Sequence, residues 1–413
     1  MHAAWRRRPW CQYFCRRTVA HTVLSGWWAL LAAWSVLLAW LILVLGRGAF
    51  WRADQRLPLR ANGAPRTWPE VTAVVPARNE AEGIGDCVTA LLRQDYPGVL
   101  RVIVVDDQSE DGTAECAREA ARRVDATSRL EVLSGAPLPE NWAGKVWAMA
   151  QGVTAAGLVP LLWFTDGDIV HGPDVLQRLV TQIEDQDRSL VSLMVMLSCR
   201  SFWERLLIPP FIFFFQMLYP FPWVNNPRRA LAGAAGGCML LRREALEKAG
   251  GFAAMRAALI DDCTLAALLK PHGSIWLGLG TESHSLRDYQ RLGEIWRMVT
   301  RSAYVQLQFS PWRLLGATLG MIFLYAWPVG VLLFGLWAEN IWLALPALLA
   351  CMLMLTAYLP TLRLYALNPF WMFSFPVAAL LYTLMTLDSA RRHYGGRGGA
   401  WKGRHYGTPG EEQ

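Results

Sequence analysis

"LLWFTDGDIV" at residues 161–170 contains an apolar run that leads into Asp166 and Asp168, which are separated by one glycine. "VIVVDDQSEDGT" at 102–113 has the same form, an apolar run followed by adjacent acids. Strands covered on both faces are apolar throughout, and ligands of open α/β sheets gather at the carboxyl ends of the strands. We therefore expect two buried strands whose acidic ends meet a cation or a charged ligand.

The composition indicates a membrane protein with a large water-facing domain. The chain has 413 residues, 54% of them hydrophobic, and its charges are concentrated between Arg47 and Arg313. The run at 24–46 carries no charge, and a helix of this length crosses a hydrocarbon core of about 30 Å. Further apolar runs lie at 314–338, 341–362 and 366–387. The sequence thus predicts one N-terminal and two to three C-terminal transmembrane helices.

The domain boundaries follow these shifts in composition. The predicted segments are a basic leader (1–23), a transmembrane anchor (24–46), a linker (47–69), a globular domain (70–305), a C-terminal transmembrane region (314–388) and a basic tail (389–413). The apolar core of a cleavable signal peptide spans only about 7–15 residues, so the anchor is predicted to remain uncleaved.

Charge and cysteine usage bear on orientation and partners. Arginines are balanced across the first span, whereas the basic tail favours the cytoplasm. Three full C-terminal spans would put tail and domain on opposite sides, so either one segment is re-entrant or the charge rule fails at one end. The eight cysteines lack close metal-type pairs beyond Cys11 and Cys15, which favours reduced thiols in a cytoplasmic domain. The net charge of +7 lies mostly near the spans, where it would meet anionic lipid, and we expect no nucleic-acid partner.

Strands and helices alternate within the globular domain. Predicted strands lie at 71–77, 100–107, 130–135 and 158–166, and predicted helices at 80–94 and 113–124, with another opened by Pro173. Such alternation implies right-handed crossovers and a largely parallel sheet. The fold class predicted for this domain is therefore α/β, with a doubly wound, mostly parallel sheet.

Asp166 and Asp168 form a D-x-D pattern, which is weak alone but stronger at the end of a buried strand. Two carboxylates this close ionise together at low cost only when a cation joins them. Mg²⁺ and Mn²⁺ bind carboxylate oxygens together with substrate phosphates, so we expect a divalent cation and a diphosphate ligand. Asp106 and Asp107 either form a turn before the next helix or accept hydrogen bonds from a pyrimidine imide or a ribose hydroxyl. The usual glycine-rich phosphate loops are absent from the sequence.

Five ordered motifs carry a family resemblance. They are "VVPARNEAEGI" (74–84), "VIVVDDQSEDGT" (102–113), "FTDGDI" (164–169), "AGGCMLLRREALEKAGGF" (235–252) and "LIDDCTLAALL" (259–269). In this order they resemble the family 2 glycosyltransferases of the GT-A fold, over about 71–305. With "LPENWAGKVWAMAQG" (138–152), the anchor and the C-terminal spans, the chain is most similar to the bacterial hopanoid-biosynthesis-associated glycosyltransferases, and more distantly to ceramide glucosyltransferases.

The resemblance implies a donor site for a nucleotide-sugar. Asp107 would contact the uracil of a UDP-sugar, and the nucleotide pocket would also include Pro76, Arg78, Glu80 and Asp106. Asp168 would bind the metal, and Asp166 would contact the ribose or the metal. Lys145, in a Gly-Lys element, would offset diphosphate charge.

The resemblance also implies an inverting transfer by one direct displacement. Asp262 would be the general base, with Asp261 beside it where the family usually has Glu; which acid acts stays open. A neighbouring carboxylate raises the pKa of its partner, which favours a base that works near neutral pH. Asp261 has an alternative role as the N-cap of the following helix.

A processive Gln/Arg-x-x-Arg-Trp motif is degraded in "WRMVTRSAY" (296–304), which keeps Arg301 but has Met298 and Ser302 in the flanking positions. Arg297 and Arg301, four residues apart, either meet the diphosphate from one helix face or belong to a basic interfacial helix.

The acceptor is expected to be a membrane lipid. The uncharged, aromatic stretch 206–227 contains four prolines, so we predict an interfacial segment that guides an amphiphilic acceptor, with a core segment as the alternative. The resemblance implies a hopanoid or isoprenoid acceptor and a multi-pass protein of the bacterial inner membrane whose catalytic domain faces the cytoplasm. A polysaccharide synthase and a catalytically silent nucleotide-binding scaffold remain alternatives, and the oligomeric state stays open.

Overall fold

The computed structural model describes residues 30–58 and 67–396, together with two short strands, Ala400–Trp401 and Arg404–His405, that pair with each other. The predicted leader, the first part of the anchor, part of the linker and most of the tail lie outside the described residues.

The centre of the structure is an eight-stranded sheet with the order β3-β2-β1-β4-β7-β6-β8-β5. The strands are β1 (Val71–Ala77), β2 (Leu100–Asp106), β3 (Leu130–Ser134), β4 (Leu161–Phe164), β5 (Ile169–His171), β6 (Arg188–Met196), β7 (Met239–Arg242) and β8 (Ser274–Ser285). Six strands share one direction, and only β5 and β7 run against their neighbours. The predicted mostly parallel α/β sheet is therefore confirmed.

Helices cover both faces of this sheet and continue into an apolar bundle. In chain order they are α1 (Leu30–Gly46), α2 (Ile84–Leu92), α3 (Thr113–Arg123), α4 (Gly144–Ala155), α5 (Val175–Asp185), α6 (Phe202–Leu218), α7 (Phe221–Val224), α8 (Arg243–Lys248), α9 (Asp261–Leu269), α10 (Leu292–Gln306), α11 (Pro311–Trp337), α12 (Ile341–Leu364) and α13 (Phe375–Tyr394).

The core of the domain explains the unbroken apolar runs of the strands. Every residue of β1 is buried, and its side chains alternate between two clusters. Val74 packs with Val146 and Met149 of α4, whereas Val75 belongs to the cluster that includes α2, α3 and α5. Because both faces are covered, polar residues have no place inside the strand and collect where it ends.

Within the described residues, four helices are long and apolar enough to cross a membrane, judged by length and composition. They are Phe202–Val224, Pro311–Trp337, Ile341–Leu364 and Pro369–Tyr394. Helix α1 is apolar but shorter over its described residues. It packs against α11 through Trp40, whose Nε1 donates a hydrogen bond to the carbonyl of Leu324 at 2.9 Å.

The predicted proline break in 206–227 is wrong for the first pair of prolines, because α6 continues through Pro209 and Pro210. A capping box fixes its start, where Ser201 accepts from the Glu204 backbone and Glu204 accepts in return. The apolar surface that Pro209, Pro210 and their neighbours bury offsets the cost of the two missing backbone donors. The interfacial placement of this segment stays a prediction.

Phe213 of α6 faces the apolar bundle rather than a free surface. Its side chain is fully buried, and its ring lies 5.2 Å from that of Phe50, 5.8 Å from Tyr358 and 5.0 Å from Phe375. The α6 helix therefore joins the sheet domain to the C-terminal helices.

Candidate active site

The candidate site is a cavity of about 460 Å³ at the carboxyl ends of the parallel strands. Antiparallel pairing of β4 with β7 places the loop after β4, which holds Asp166 and Asp168, beside Gly236 and Gly237 before β7. The start of α9 adds further acids to the same cavity. The carboxylates that line it are Glu80, Asp166, Asp168, Asp261 and Asp262, and the cationic side chains are Lys145, Arg287 and Arg301.

Lys145, near the start of α4, joins two of these acids. Its Nζ lies 2.7 Å from Oδ1 of Asp166 and 3.2 Å from Oδ2 of Asp261. Burial opposes the charge of Lys145, but the carboxylates outweigh burial, so the pKa of this amine is raised above its ordinary value. Lys145 therefore stays charged and fixes the spacing between the loop after β4 and the start of α9.

Asp262 is held by backbone donors. Its Oδ1 accepts from the backbone N–H of Cys263 at 2.7 Å, and its Oδ2 accepts from that of Gly236 at 2.9 Å. Burial, and secondarily the charge of Asp261, raises the pKa of Asp262 to about 6, although Lys145 acts in the opposite direction. The carboxyl group is thus ionised at neutral pH and can take up a proton.

Gly236 lies close to both groups. A Cβ on this residue would lie 3.2 Å from Nζ of Lys145 and 3.6 Å from Oδ2 of Asp262. A side chain here would therefore require Nζ of Lys145 to shift by a few tenths of an ångström.

Asp261 does not act as the helix cap that the sequence offered as an alternative. It is the first residue of α9, and the N-cap position belongs to Ile260 without a side-chain hydrogen bond. The carboxylate of Asp261 instead faces Lys145. The structure therefore gives the two neighbouring acids different surroundings, an ion pair for Asp261 and backbone donors for Asp262.

Asp168 is surrounded by residues that sequence reasoning missed. Antiparallel pairing of β5 with β8 brings Ser285 beside Ile169. The Ser285 hydroxyl donates to Oδ2 of Asp168 at 3.1 Å, and the backbone N–H of Leu286 donates to the Asp168 carbonyl at 2.8 Å. Nε of Arg287 lies 3.7 Å from the same Oδ2.

Arg287 reaches a second carboxylate as well. Its Nη2 donates to Oε1 of Glu80 at 3.3 Å, which connects the end of β8 to the loop after β1. Tyr289 lines the cavity beyond it. The segment "SLRDY" at 285–289 begins with the last residue of β8 and matches no recognised motif, so these roles could not be predicted from the sequence.

The predicted nucleotide-binding residues fall into two groups. Pro76 and Glu80 line the cavity, whereas Arg78, Asp106 and Asp107 lie just outside it, at the ends of β1 and β2. Arg78 Nη1 donates to the Asp107 carbonyl at 2.5 Å and lies 3.8 Å from the buried Asp107 carboxylate.

Asp106 forms the predicted turn, because its Oδ1 accepts a hydrogen bond from the backbone N–H of Ser109 at 3.1 Å.

Of the two arginines on α10, Arg301 lines the cavity, whereas Arg297 is exposed and does not contribute to its wall.

A buried histidine lies behind the acidic loop. Nε2 of His171 is 2.8 Å from the Thr165 hydroxyl, and Nδ1 is 2.8 Å from the Ser283 hydroxyl. Thr165 in turn donates to the carbonyl of Gly237 at 2.9 Å. Burial lowers the pKa of His171 to about 3, so the ring is neutral and connects β5, β8 and the loop before β7.

The described residues contain no group of three His, Cys, Asp or Glu side chains that could hold a metal ion by themselves. Asp166 and Asp168 still offer hard oxygen donors on either side of Gly167. Mg²⁺ commonly uses one or two carboxylates and completes its shell with water and substrate phosphates. The donor set therefore fits a divalent cation that is shared with a diphosphate.

One wall of the cavity is apolar. Its side chains come mainly from β6, α6 and α10, and they are Met194, Val195, Leu197, Phe211, Phe215 and Met298. Phe211 and Phe215 are one turn apart on α6 and are partly exposed. This wall can accept an apolar body while a polar end faces the carboxylates.

Comparison with known proteins agrees with this geometry. Residues 72–250 match the Glycosyl transferase family 2 profile. The glycosyltransferase AglE of Haloferax volcanii is 34% identical over 126 residues, which cover 30% of this chain and 39% of that protein. A 4,4'-diaponeurosporenoate glycosyltransferase of Staphylococcus aureus is 30% identical over 153 residues, which cover 37% of this chain and 38% of the relative.

An N-acetylglucosaminyltransferase of Rhizobium leguminosarum bv. viciae is 34% identical over 118 residues, 28% of this chain and 26% of that protein. The matches thus span well under half the length of these relatives. Among solved structures, the mannosyltransferase PcManGT of Pyrobaculum calidifontis, in complex with GDP-Man and Mn²⁺, is 19% identical with a TM-score of 0.47, covering 85% of this chain and 99% of that chain. Residues 72–250 are thus similar to a glycosyl transferase family 2 domain, and the mixed sheet with helices on both faces is GT-A-like.

Proposed function

We propose that the protein is an inverting glycosyltransferase that moves a sugar from a nucleotide-sugar, with UDP as the nucleotide, to a membrane lipid. The observation that carries this proposal is the cavity itself, in which a carboxyl group with a pKa of about 6 shares one space with an apolar wall. Such a space suits an acceptor with a reactive hydroxyl at one end and a hydrocarbon body at the other.

Asp262 is the proposed general base. It would take the proton of the acceptor hydroxyl while the hydroxyl oxygen attacks the anomeric carbon, and the bond from that carbon to the nucleoside diphosphate breaks. Its two backbone hydrogen bonds hold the carboxylate at the edge of the cavity. A direct displacement needs no covalent enzyme intermediate and inverts the anomeric centre.

Lys145 would stabilise the departing diphosphate by its charge, with Arg301 across the cavity. The proposed ligands of a divalent cation, Mg²⁺ or Mn²⁺, are Asp168 and Asp166. When bound, the cation neutralises charge that develops on the leaving group. Pro76, Arg78, Glu80, Asp106 and Asp107 are proposed to bind the nucleotide, and the family resemblance supports the uracil contact of Asp107.

The lipid acceptor is proposed from the apolar wall and from the four helices long enough to cross a membrane. Within this class we propose a hopanoid or a related isoprenoid lipid, because the whole chain resembles the hopanoid-biosynthesis-associated glycosyltransferases. The same resemblance supports a multi-pass protein of the bacterial inner membrane with its catalytic domain towards the cytoplasm.

The test is a screen of UDP-sugars with the detergent-purified full chain, with and without extracted bacterial polyprenoid lipids, in which released UDP is measured. We expect release that needs both lipid and a divalent cation and that is lost in Asp168→Ala. The exposed Asp95→Ala is the matched control.

Growth of a sugar polymer without lipid would instead indicate a polysaccharide synthase. Nucleotide binding without turnover on any lipid would indicate a silent scaffold.

A further inference from the structure

Arg287 lies beside Asp168, so its positive charge would oppose a divalent cation bound by that carboxylate. Its Nε lies 3.7 Å from Oδ2 of Asp168, and its Nη2 donates to Oε1 of Glu80 at 3.3 Å. The two carboxylates come from different loops, after β4 and after β1. One guanidinium group therefore neutralises two acids that belong to separate parts of the chain.

Hydrogen bonds from Ser285 and from the backbone of Leu286 hold the segment before Arg287 close to Asp168. The Ser285 hydroxyl accepts from the backbone N–H of Arg287 at 3.2 Å and donates to Oδ2 of Asp168 at 3.1 Å. The Leu286 N–H donates to the Asp168 carbonyl at 2.8 Å. The base of the Arg287 side chain is thus fixed to the acidic loop, whereas the long side chain can change its rotamer.

The balance of charge in the cavity changes when a nucleotide-sugar and a divalent cation bind. Five carboxylates and three cationic side chains line it, an excess of two negative charges when all are ionised. A divalent cation bound by Asp168 would repel a guanidinium group that contacts the same carboxylate. The diphosphate that arrives with it offers oxygens that a planar guanidinium group binds in bidentate fashion.

We propose that Arg287 is a donor-binding switch, which pairs with Asp168 and Glu80 before the donor arrives, yields Asp168 to the divalent cation, and then binds the diphosphate. This proposal rests on the proposed function and adds to it a residue outside the five motifs of the family resemblance. The Arg287 side chain lines the cavity and is 37% exposed, so it has room to change its position there.

The proposal predicts opposite effects of one substitution on two ligands. In Arg287→Met, Mn²⁺ alone binds about two- to fivefold more tightly, because a partly exposed competing cation has been removed. UDP in the presence of saturating Mn²⁺ binds about 10- to 100-fold more weakly, because charge-assisted hydrogen bonds to the diphosphate are lost. A residue with a merely structural role would not move the two affinities in opposite directions.

The experiment measures free Mn²⁺ by electron paramagnetic resonance and UDP binding by calorimetry on the full chain in detergent. Arg287→Gln is the second variant, since it removes the charge but keeps a donor for Glu80, and it should show the same split. Arg118→Met, which removes a cation from an exposed pair with Glu115 on α3, is the matched control and should change neither affinity.

Unchanged or weaker Mn²⁺ binding in both Arg287 variants overturns the switch, and so does unchanged UDP binding. The proposed function fails separately, if the wild-type chain binds neither UDP nor GDP with Mn²⁺ present. In that case the Mn²⁺ measurement alone still decides whether Arg287 competes for Asp168.

Discussion

Nζ of Lys145 lies 2.7 Å from Oδ1 of Asp166, so helix α4 is tied to the acidic loop that follows β4. The same Nζ lies 3.2 Å from Oδ2 of Asp261, so one cation joins Asp166 to the neighbour of the proposed base Asp262. The Lys145 side chain therefore positions both the acidic loop after β4 and the start of α9, which carries the proposed base.

Lys145→Met should therefore destabilise the domain as well as weaken UDP binding. Removal of one partner from a partly buried ion pair leaves uncompensated charge and costs about 1–3 kcal/mol, between the values for exposed and for fully buried pairs. Thermal unfolding followed by tryptophan fluorescence in detergent would detect this loss. The double variant Lys145→Met/Asp261→Asn should recover part of it, because one of the two stranded carboxylates is gone. A double variant no more stable than the single one would contradict the ion-pair explanation.

The pH dependence of transfer should report Asp262. A general base must be ionised, and the folded-state pKa of this group is raised to about 6. We expect kcat/KM to be level above pH 6 and to fall about tenfold per pH unit below it. In Asp261→Asn the neighbouring negative charge is gone, so this limb should move to lower pH. A limb that stays in place, or moves upward, would exclude the assigned coupling between the two acids.

The apolar wall should affect the KM for the lipid acceptor but not the affinity for the nucleotide. Phe211→Ser and Phe215→Ser should each raise the KM for the lipid about fivefold while leaving UDP affinity unchanged, since each removes part of an apolar contact. Phe202→Ser is the matched control on the same helix, because Phe202 is 60% exposed and lies outside the cavity wall. Equal effects of all three substitutions would mean that the wall has no specific role.

The neutral His171 should matter for stability. His171→Leu leaves the buried hydroxyls of Thr165 and Ser283 without their imidazole partner, at a cost of about 1–3 kcal/mol for each group left unsatisfied. The additional change Ser283→Ala should recover part of that cost. Thermal unfolding at pH 7 tests both variants, and a His171→Leu protein as stable as the wild type would refute the assigned network.

Local patterns predicted β1 to β4, because burial on both faces leaves long apolar runs in the sequence. The predicted strand at 71–77 coincides with β1, and the acids expected at the ends of strands lie there. The strands β5 to β8 were not predicted, and strands of three and four residues such as β5 and β7 carry no sign of their orientation. The continuity of α6 through Pro209 and Pro210 depends on packing against distant helices, which no local rule includes.

Site residues that belong to sequence motifs could be predicted. Site residues that only the fold brings together could not. Asp166, Asp168 and Asp262 stand in motifs, and all three line the cavity. Arg287 reaches Asp168 across 119 positions of sequence only because β8 pairs with β5.

The most direct test of the central claim is transfer of radiolabelled sugar from a UDP-sugar to extracted bacterial lipid by the wild-type chain and by Asp262→Asn. We expect labelled lipid from the wild type and a loss of at least about 100-fold in Asp262→Asn, with UDP affinity retained. Labelled lipid formed at the wild-type rate by Asp262→Asn would contradict it.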